Sequence, residues 1–139
     1  GFRNAIAAAR EAIIVTTPEI SAVRDADRVI GLLEANDVKA MRLIINRLKP
    51  AMVEAGQMMS VKDVQDILAV PLLGVIPDDE QVVVSTNKGE PLILEEKLSS
   101  AGIAFSNVAR RLQGEKVPLM DLSVQTDGFL TRLKRLFGG

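Results

Sequence analysis

The sequence predicts an α/β layered domain in which a parallel sheet is covered by helices on both faces. Three short aliphatic and β-branched runs, Ala12–Thr16 (AIIVT), Met41–Asn46 (MRLIIN) and Leu72–Ile76 (LLGVI), are each closed by polar or turn-forming residues. Nearly continuous apolarity of this kind marks strands buried on both sides. Around these runs the apolar residues recur at three and four, the helical period. The order helix, strand, helix, strand, helix, strand, helix describes right-handed crossover units. Three strands make a thin sheet for such a fold, so further strands from a preceding part of the protein are expected to pair with an open edge.

Each element has its own signal. Phe2–Glu11 is Ala-rich with Phe2, Ile6 and Ala9 on one stripe, and reads as a helix. Thr17-Pro18-Glu19 supplies a cap, a proline at the first helical position and an acid near the positive helix end; Val23, Ala26, Ile30 and Leu33 then repeat to about Ala35. Ser60 with Asp63 three residues on is a capping-box-like start for a helix carrying Val61, Val64, Ile67 and Leu68. A short helix follows Pro77-Asp78-Asp79, and Lys88-Gly89-Glu90-Pro91 makes a turn. The last helix of the domain, about Leu98 to Gln113, has Ile103, Val108 and Leu112 among its apolar positions and Gly114 just past its end. The organisation expected is a domain over residues 1–119, a polar linker over 120–128 and a separate terminal element over 129–139.

Composition narrows the chemistry. The 139 residues include no Cys, His, Trp or Tyr, with 17 basic against 18 acidic side chains and a net charge of −1. Disulfides, thiolate nucleophiles, cysteine-held zinc and iron–sulfur clusters are excluded from this chain, and so is histidine acting as general base or metal ligand. A near-neutral chain has no general field for nucleic acid, so none is expected as a partner. The longest apolar run, Ala69–Pro77, is far short of the roughly 20 residues a spanning helix needs. The chain begins at Gly1 and enters a helical pattern at once, and reads as a piece of a longer protein in the cytoplasm.

In an open parallel sheet, ligands bind beyond the carboxyl ends of the strands. Three such ends are legible: Thr16-Thr17-Pro18-Glu19, Asn46-Arg47-Leu48 and Pro77-Asp78-Asp79. An Asn amide can donate and accept together along a base edge, and Arg47 offers a planar stacking surface. Pro77 can pack on a flat ring and Asp78 can accept from a hydroxyl. A blander reading stays open beside this one: Asn46 bonds its own turn, and Asp78 or Asp79 caps a helix. Nothing resembling G-x-x-x-x-G-K-[ST] occurs, so the chain can hold a base but has no cradle for its phosphates. On the first crossover helix Arg24, Asp25, Asp27, Arg28 and Glu34 lie largely away from the apolar stripe, as a solvated face or as a docking face for a partner.

The terminal stretch GFLTRLKRLFGG is the most distinctive. Drawn as a helix, it gathers Phe129, Leu130, Leu133, Leu136 and Phe137 on one side, with Arg132, Lys134 and Arg135 flanking or opposing them and no acidic side chain among them. That pattern suits a helix lying in an anionic membrane interface; docking on the protein's own core is the alternative. Five large apolar side chains give at most about 7–15 kcal/mol if fully buried. Ordering the backbone of the segment costs about 1 kcal/mol or more per residue. One copy therefore binds weakly, and two copies tethered in a dimer gain roughly 10²- to 10⁴-fold in avidity.

Taken together, TTPEISAVRDADRVIGLLE (Thr16–Glu34), INRLKP (Ile45–Pro50), MMSVKDVQDIL (Met58–Leu68), LLGVIPDD (Leu72–Asp79), STNKGEPLIL (Ser85–Leu94) and the tail resemble the MinD septum-site-determining ATPases, of the deviant Walker-A class of P-loop proteins. The resemblance covers nearly the whole chain. NR and IPDD alone are shared in outline with ParA-type DNA-partition ATPases, and the tail is what points to MinD. The resemblance implies the C-terminal half of a three-layer P-loop NTPase-like domain, followed by an amphipathic membrane-targeting helix. It also implies an ATP-sandwiched homodimer, recruitment of MinC, stimulation by MinE, and placement on the inner face of the cell membrane. Asn46, Arg47, Pro77 and Asp78 would then contact the adenosine part of ATP. Glu19 would meet the partner subunit's deviant Walker-A lysine, and Ser21, Asp25 and Asp27 would lie on the helix used by MinC and MinE. In the family the phosphate loop, switch residues and catalytic aspartate precede the stretch that begins here at Gly1. No catalytic residue and no ligand for the accompanying Mg2+ is therefore expected in this chain. Two other readings are a ParA-type partition ATPase, against which the near-neutral core speaks, and a non-catalytic membrane-interaction module.

Overall fold

The computed structural model describes residues 4, 6, 8–120 and 122. Three strands, β1 (Glu11–Thr16), β2 (Ala40–Leu48) and β3 (Leu72–Pro77), form one parallel sheet in the order β1-β2-β3. Each contains one of the expected runs and extends it by one to three residues. The helices are α1 (Ile20–Ala35), α2 (Pro50–Glu54), α3 (Val61–Leu68), α4 (Glu80–Lys88) and α5 (Ser100–Leu112), with a single 3₁₀ turn at Leu92–Leu94. The α/β layered class therefore holds. The tail from Phe129 to Phe137 and most of the linker lie outside the described residues.

Helices cover the sheet on both sides. On one face Ile14, Leu43 and Ile45 join Val23, Ala26, Ile30 and Leu33 of α1 and Val64 and Leu68 of α3 in a single apolar cluster. On the other face Ile44, Leu73 and Ile76 meet Ala101, Ala104 and Val108 of α5, with Leu92 closing the edge. The α5 helix lies close because β3 carries Gly74. A Cβ there would stand 2.4 Å from Val108 Cγ2, a separation no real side chain tolerates. Leu43 and Ile45 are wholly buried, and the β2 strand is the centre of both layers.

Several expectations are corrected. The helix read over Phe2–Glu11 ends earlier than its alanines suggest. Asn4 and Ile6 are helical, but Ala9 N–H closes a turn on the Ile6 carbonyl at 3.1 Å and Glu11 already pairs with Ala40 in the sheet. The cap of α1 is Glu19 rather than Thr17, so Pro18 precedes the helix instead of opening it. Glu19 supplies its backbone carbonyl to Val23 N–H at 2.9 Å and no side-chain cap. Pro18 is instead buried beneath that entry. Ile67, Ile103 and Leu112 face outward, because the buried stripes of α3 and α5 are Val64 with Leu68, and Ala101, Gly102, Ala104 with Val108. The small residues of α5 are what let it settle onto the sheet.

Other signals act as read. Ser60 Oγ accepts from Asp63 N–H at 3.0 Å and Asp63 Oδ2 accepts from Ser60 N–H at 3.1 Å, a reciprocal capping box. Hydrogen bonding to its carboxyl from the Ser60 N–H, and then from the Ser60 hydroxyl, holds Asp63 below the usual carboxylate range. Gly89 ends α4 at φ +71°, a left-handed conformation that glycine adopts at no steric cost.

The stretch after α5 is not detached from the start. Arg111 donates from Nη1 to the Leu73 carbonyl of β3 at 3.0 Å, from Nε to Val117 O at 2.9 Å and from Nη2 to Pro118 O at 3.0 Å. Met120 then packs against the α5 cluster and Leu122 against the opposite one. The polar linker thus begins docked, with Met120 and Leu122 on different clusters.

Candidate functional site

At the carboxyl ends of β2 and β3 the structure brings four expected residues onto two adjacent strand ends. The register between the strands shifts between Ile45 and Leu48, so Asn46 and Arg47 form an irregularity opposite Ile76, just before Leu48 pairs with Pro77. Arg47 adopts φ +59°, a left-handed conformation that costs a non-glycine residue about 1–2 kcal/mol. Asn46 Oδ1 accepts from Arg47 N–H at 3.0 Å and holds that turn, while Asn46 Nδ2 has no partner among the described residues. The bland reading of Asn46 is thus half right: its oxygen serves its own turn and its amide donors stay available.

The Asp78 N–H donates to the Leu48 carbonyl at 2.8 Å, tying the two strand ends. Its carboxylate faces Arg47 Nε at 3.6 Å from one oxygen and Lys49 Nζ at 3.6 Å from the other. These half-exposed pairs contribute little to stability, about 1 kcal/mol or less each. Their effect is orientation, since two cations fix where the carboxylate lies. Asp78 therefore caps no helix. That role falls to Asp79, whose Oδ1 accepts from Gln81 N–H at 3.0 Å and whose Oδ2 accepts from Ala101 N–H at 3.0 Å. Burial pushes the Asp79 carboxyl up, but hydrogen bonds from Ala101 N–H, the Ser99 hydroxyl and Gln81 N–H outweigh it and hold the group below its ordinary value.

Pro77 and Asp78 line an open cleft of about 480 Å³ with Pro50, Asp79, Ser99 and Ser100 among its walls. Proline faces, a carboxylate and an adjacent guanidinium suit a flat heterocycle joined to a hydroxylated ring. Lys49, Pro50 and the double role of Asp79 were missed in the sequence. Lys49 lies three residues past Asn46 with no motif to mark it, and the Asp79 contact with Ala101 spans 22 residues.

The second expected group lies elsewhere. Glu19 and Ser21, at the start of α1, line a separate cleft of about 730 Å³ whose other wall carries Met52, Met58 and Met59. Asp25 and Asp27 are exposed on α1, and Asp25 Oδ1 stands 3.7 Å from Arg28 Nη1. Among the described residues no three acidic side chains converge closely enough to hold a metal ion.

A family model described as ParA, NUBPL iron-transfer P-loop NTPase, matches residues 3–113. The chain belongs to the ParA/MinD family of P-loop NTPases. One curated relative, the septum site-determining protein MinD of Synechocystis sp., is 61% identical over 140 residues, covering 100% of this chain and 53% of its own length. The MinC:MinD cell division protein complex of Aquifex aeolicus contains a chain that superposes with a TM-score of 0.83 at 48% identity, covering 87% of this chain and 50% of that one. MinD of Pyrococcus horikoshii, complexed with Mg-ADP, superposes with a TM-score of 0.65 at 32% identity, covering 74% of this chain and 41% of that one. The chain spans about half the length of the curated relatives it matches. As a ParA/MinD family member it presents the loops that follow β2 and β3 at the end of the sheet where such folds take their ligands.

Proposed function

We propose that this chain forms the C-terminal part of a MinD-type ATPase that pairs with ATP, binds the membrane and, with MinC and MinE, sets the place of the division septum. The observation that carries the nucleotide part is the cluster at the strand ends, where Arg47 is held in a strained turn facing Asp78 with the Asn46 amide donors free. In this reading Asn46 donates to the base edge, Pro77 and Arg47 flank the ring, and Asp78 accepts from a ribose hydroxyl. Phosphate binding, hydrolysis and the Mg2+ ligands belong to residues outside this chain. When bound, Mg2+ supplies charge neutralisation at the phosphates. The iron transfer named in the family description finds no thiolate in this cysteine-free chain, whereas relatives named MinD align over all of it.

Glu19 and Ser21, with Asp25 and Asp27 beyond them on α1, form the partner face, used first by the second subunit and then by MinC and MinE. The MinC:MinD complex of Aquifex aeolicus supports MinC as one of these partners. Phe129, Leu130, Leu133, Leu136 and Phe137 enter the membrane interface, with Arg132, Lys134 and Arg135 on anionic headgroups. The protein then moves between cytoplasm and the inner face of the cell membrane. The apolar outer side of β1 is where the other half of the domain is expected to pack.

Two measurements test this. The full-length protein is expected to sediment with anionic vesicles in ATP and much less in ADP, and Leu133→Glu to abolish sedimentation while ATP still binds. Unchanged sedimentation of Leu133→Glu refutes the tail's role. Asn46→Ala is expected to weaken ADP binding about fivefold through loss of one hydrogen-bonding side chain, and an unaltered affinity rejects the base site.

A further inference from the structure

Asp79 touches none of the groups just assigned to the nucleotide, yet its surroundings control where they stand. Its two oxygens serve two helices that are remote in sequence: Oδ1 closes the N-terminus of α4 through Gln81 and Oδ2 that of α5 through Ala101, each at 3.0 Å. These helices are nine and 13 residues long, and both direct their positive ends at this carboxylate. Asp79 is thus the resident anion of a twin helix terminus. With both oxygens engaged, it has little capacity left for a ligand.

We propose that Asp79 is the positioning residue of the base pocket, joining α4 to α5 so that Pro77 and Asp78 are held opposite Arg47 and Pro50. The inference rests on the nucleotide-site reading above. The backbone through Asp78 and Asp79 is held on both sides: Asp78 N–H is fixed to Leu48 O at 2.8 Å, and the Asp79 side chain is fixed to the two helices. The Asp78 carboxylate therefore projects from a backbone with no room to swing. The Ser99 hydroxyl, which donates to Asp79 and accepts from Gly102 N–H at 3.3 Å, extends the connection into α5. That helix is seated on β3 through Ala101, Ala104 and Val108. Without the carboxylate, two helix ends of like partial charge face each other, with only the Ser99 hydroxyl left to accept at the start of α5. The cleft walls made by Pro77 and Asp78 on one side and Ser99 and Ser100 on the other then separate. A flat ring loses its close fit, and discrimination between bases falls before affinity for the shared diphosphate does.

The test uses the full-length protein and measures ADP and GDP affinities by calorimetry at 10 °C, beside thermal melting. Asp79→Ala is expected to weaken ADP binding about tenfold and GDP binding much less, shrinking adenine-over-guanine discrimination by most of that factor. Asp79→Asn, which keeps one acceptor oxygen, is expected to fall between, at about threefold, and carries the test should the alanine variant not fold. Equal losses for ADP and GDP mean a purely structural residue and overturn the proposal. So does unchanged ADP affinity in the Asp79 variants while Asn46→Ala weakens it, an outcome that leaves the nucleotide reading standing. If Asn46→Ala also has no effect, the nucleotide reading falls and the role of Asp79 with it.

Discussion

On one face of the sheet Ile14, Leu43 and Ile45 are shut in by α1 and α3. On the other, α5 covers Ile44, Leu73 and Ile76 but does not cover β1, where Ile13 is 45% and Val15 58% exposed. The β1 run is apolar on both sides, as a strand inside a layered α/β domain should be, yet only one side meets a partner among the described residues. Strand patterning thus records the environment of the whole domain, including parts that a given stretch of chain does not itself supply. The covered face can be judged from this chain, while the bare one states what must come to it.

A cavity cut into the covered face carries the greatest cost. Leu43→Ala removes a fully buried side chain from the central strand and is expected to cost about 2–5 kcal/mol by urea unfolding. Gly74→Ala attacks the second face, where the added methyl meets Val108 Cγ2. A loss of about 1–3 kcal/mol is expected, and Val108→Ala in the same chain should recover part of it rather than add its full cost. Ser60→Ala loosens the start of α3 above the covered face, at about 1 kcal/mol, with amide exchange rising in Val61–Leu68 before elsewhere.

The pH dependence follows from Asp63 and Asp79, whose native carboxyls are held below their ordinary value. A group depressed in the folded state stabilises above its unfolded pKa, and the contribution disappears as pH falls through the native one. The urea midpoint should therefore hold from neutrality down to the ordinary carboxylate range and drop below it, with a shallower drop for Asp79→Asn. The smallest effect is at the bare face. Val15→Ala is expected to change the stability of the 139-residue chain by less than about 0.5 kcal/mol. A cost of about 2 kcal/mol there would mean that this face is already covered; the same cost in a longer protein alone would locate the covering element.

Much of the fold was legible because its signals are local. The three strands announce themselves as apolar runs, and the Ser60–Asp63 pair and Gly89 mark helix ends through bonds to their own neighbours. What escaped depends on contacts made at a distance. Only Pro50 at its first position announces the five-residue α2, which has no side-chain cap. Thr17 and Pro18 imitate a helix start, but the chain uses Pro18 as core and begins two residues later. Ile103 and Leu112 match the helical period, yet the sheet selects the neighbouring small residues because Gly74 invites a close approach. At the site, residue chemistry pointed to Asn46, Arg47, Pro77 and Asp78, and the structure brings them onto adjacent strand ends. The left-handed turn at Arg47 was not legible, since no glycine or asparagine occupies that position.

The guanidinium of Arg111 spans β3 and the carbonyls of Val117 and Pro118. Tension arriving at Val117 and Pro118 therefore passes through two hydrogen bonds to Arg111 and a third from Arg111 to the Leu73 carbonyl, and does not merely peel back the last turn of α5. Lysine could not share a load among three acceptors in that planar arrangement. The chain at Val117 and Pro118 is moored to β3.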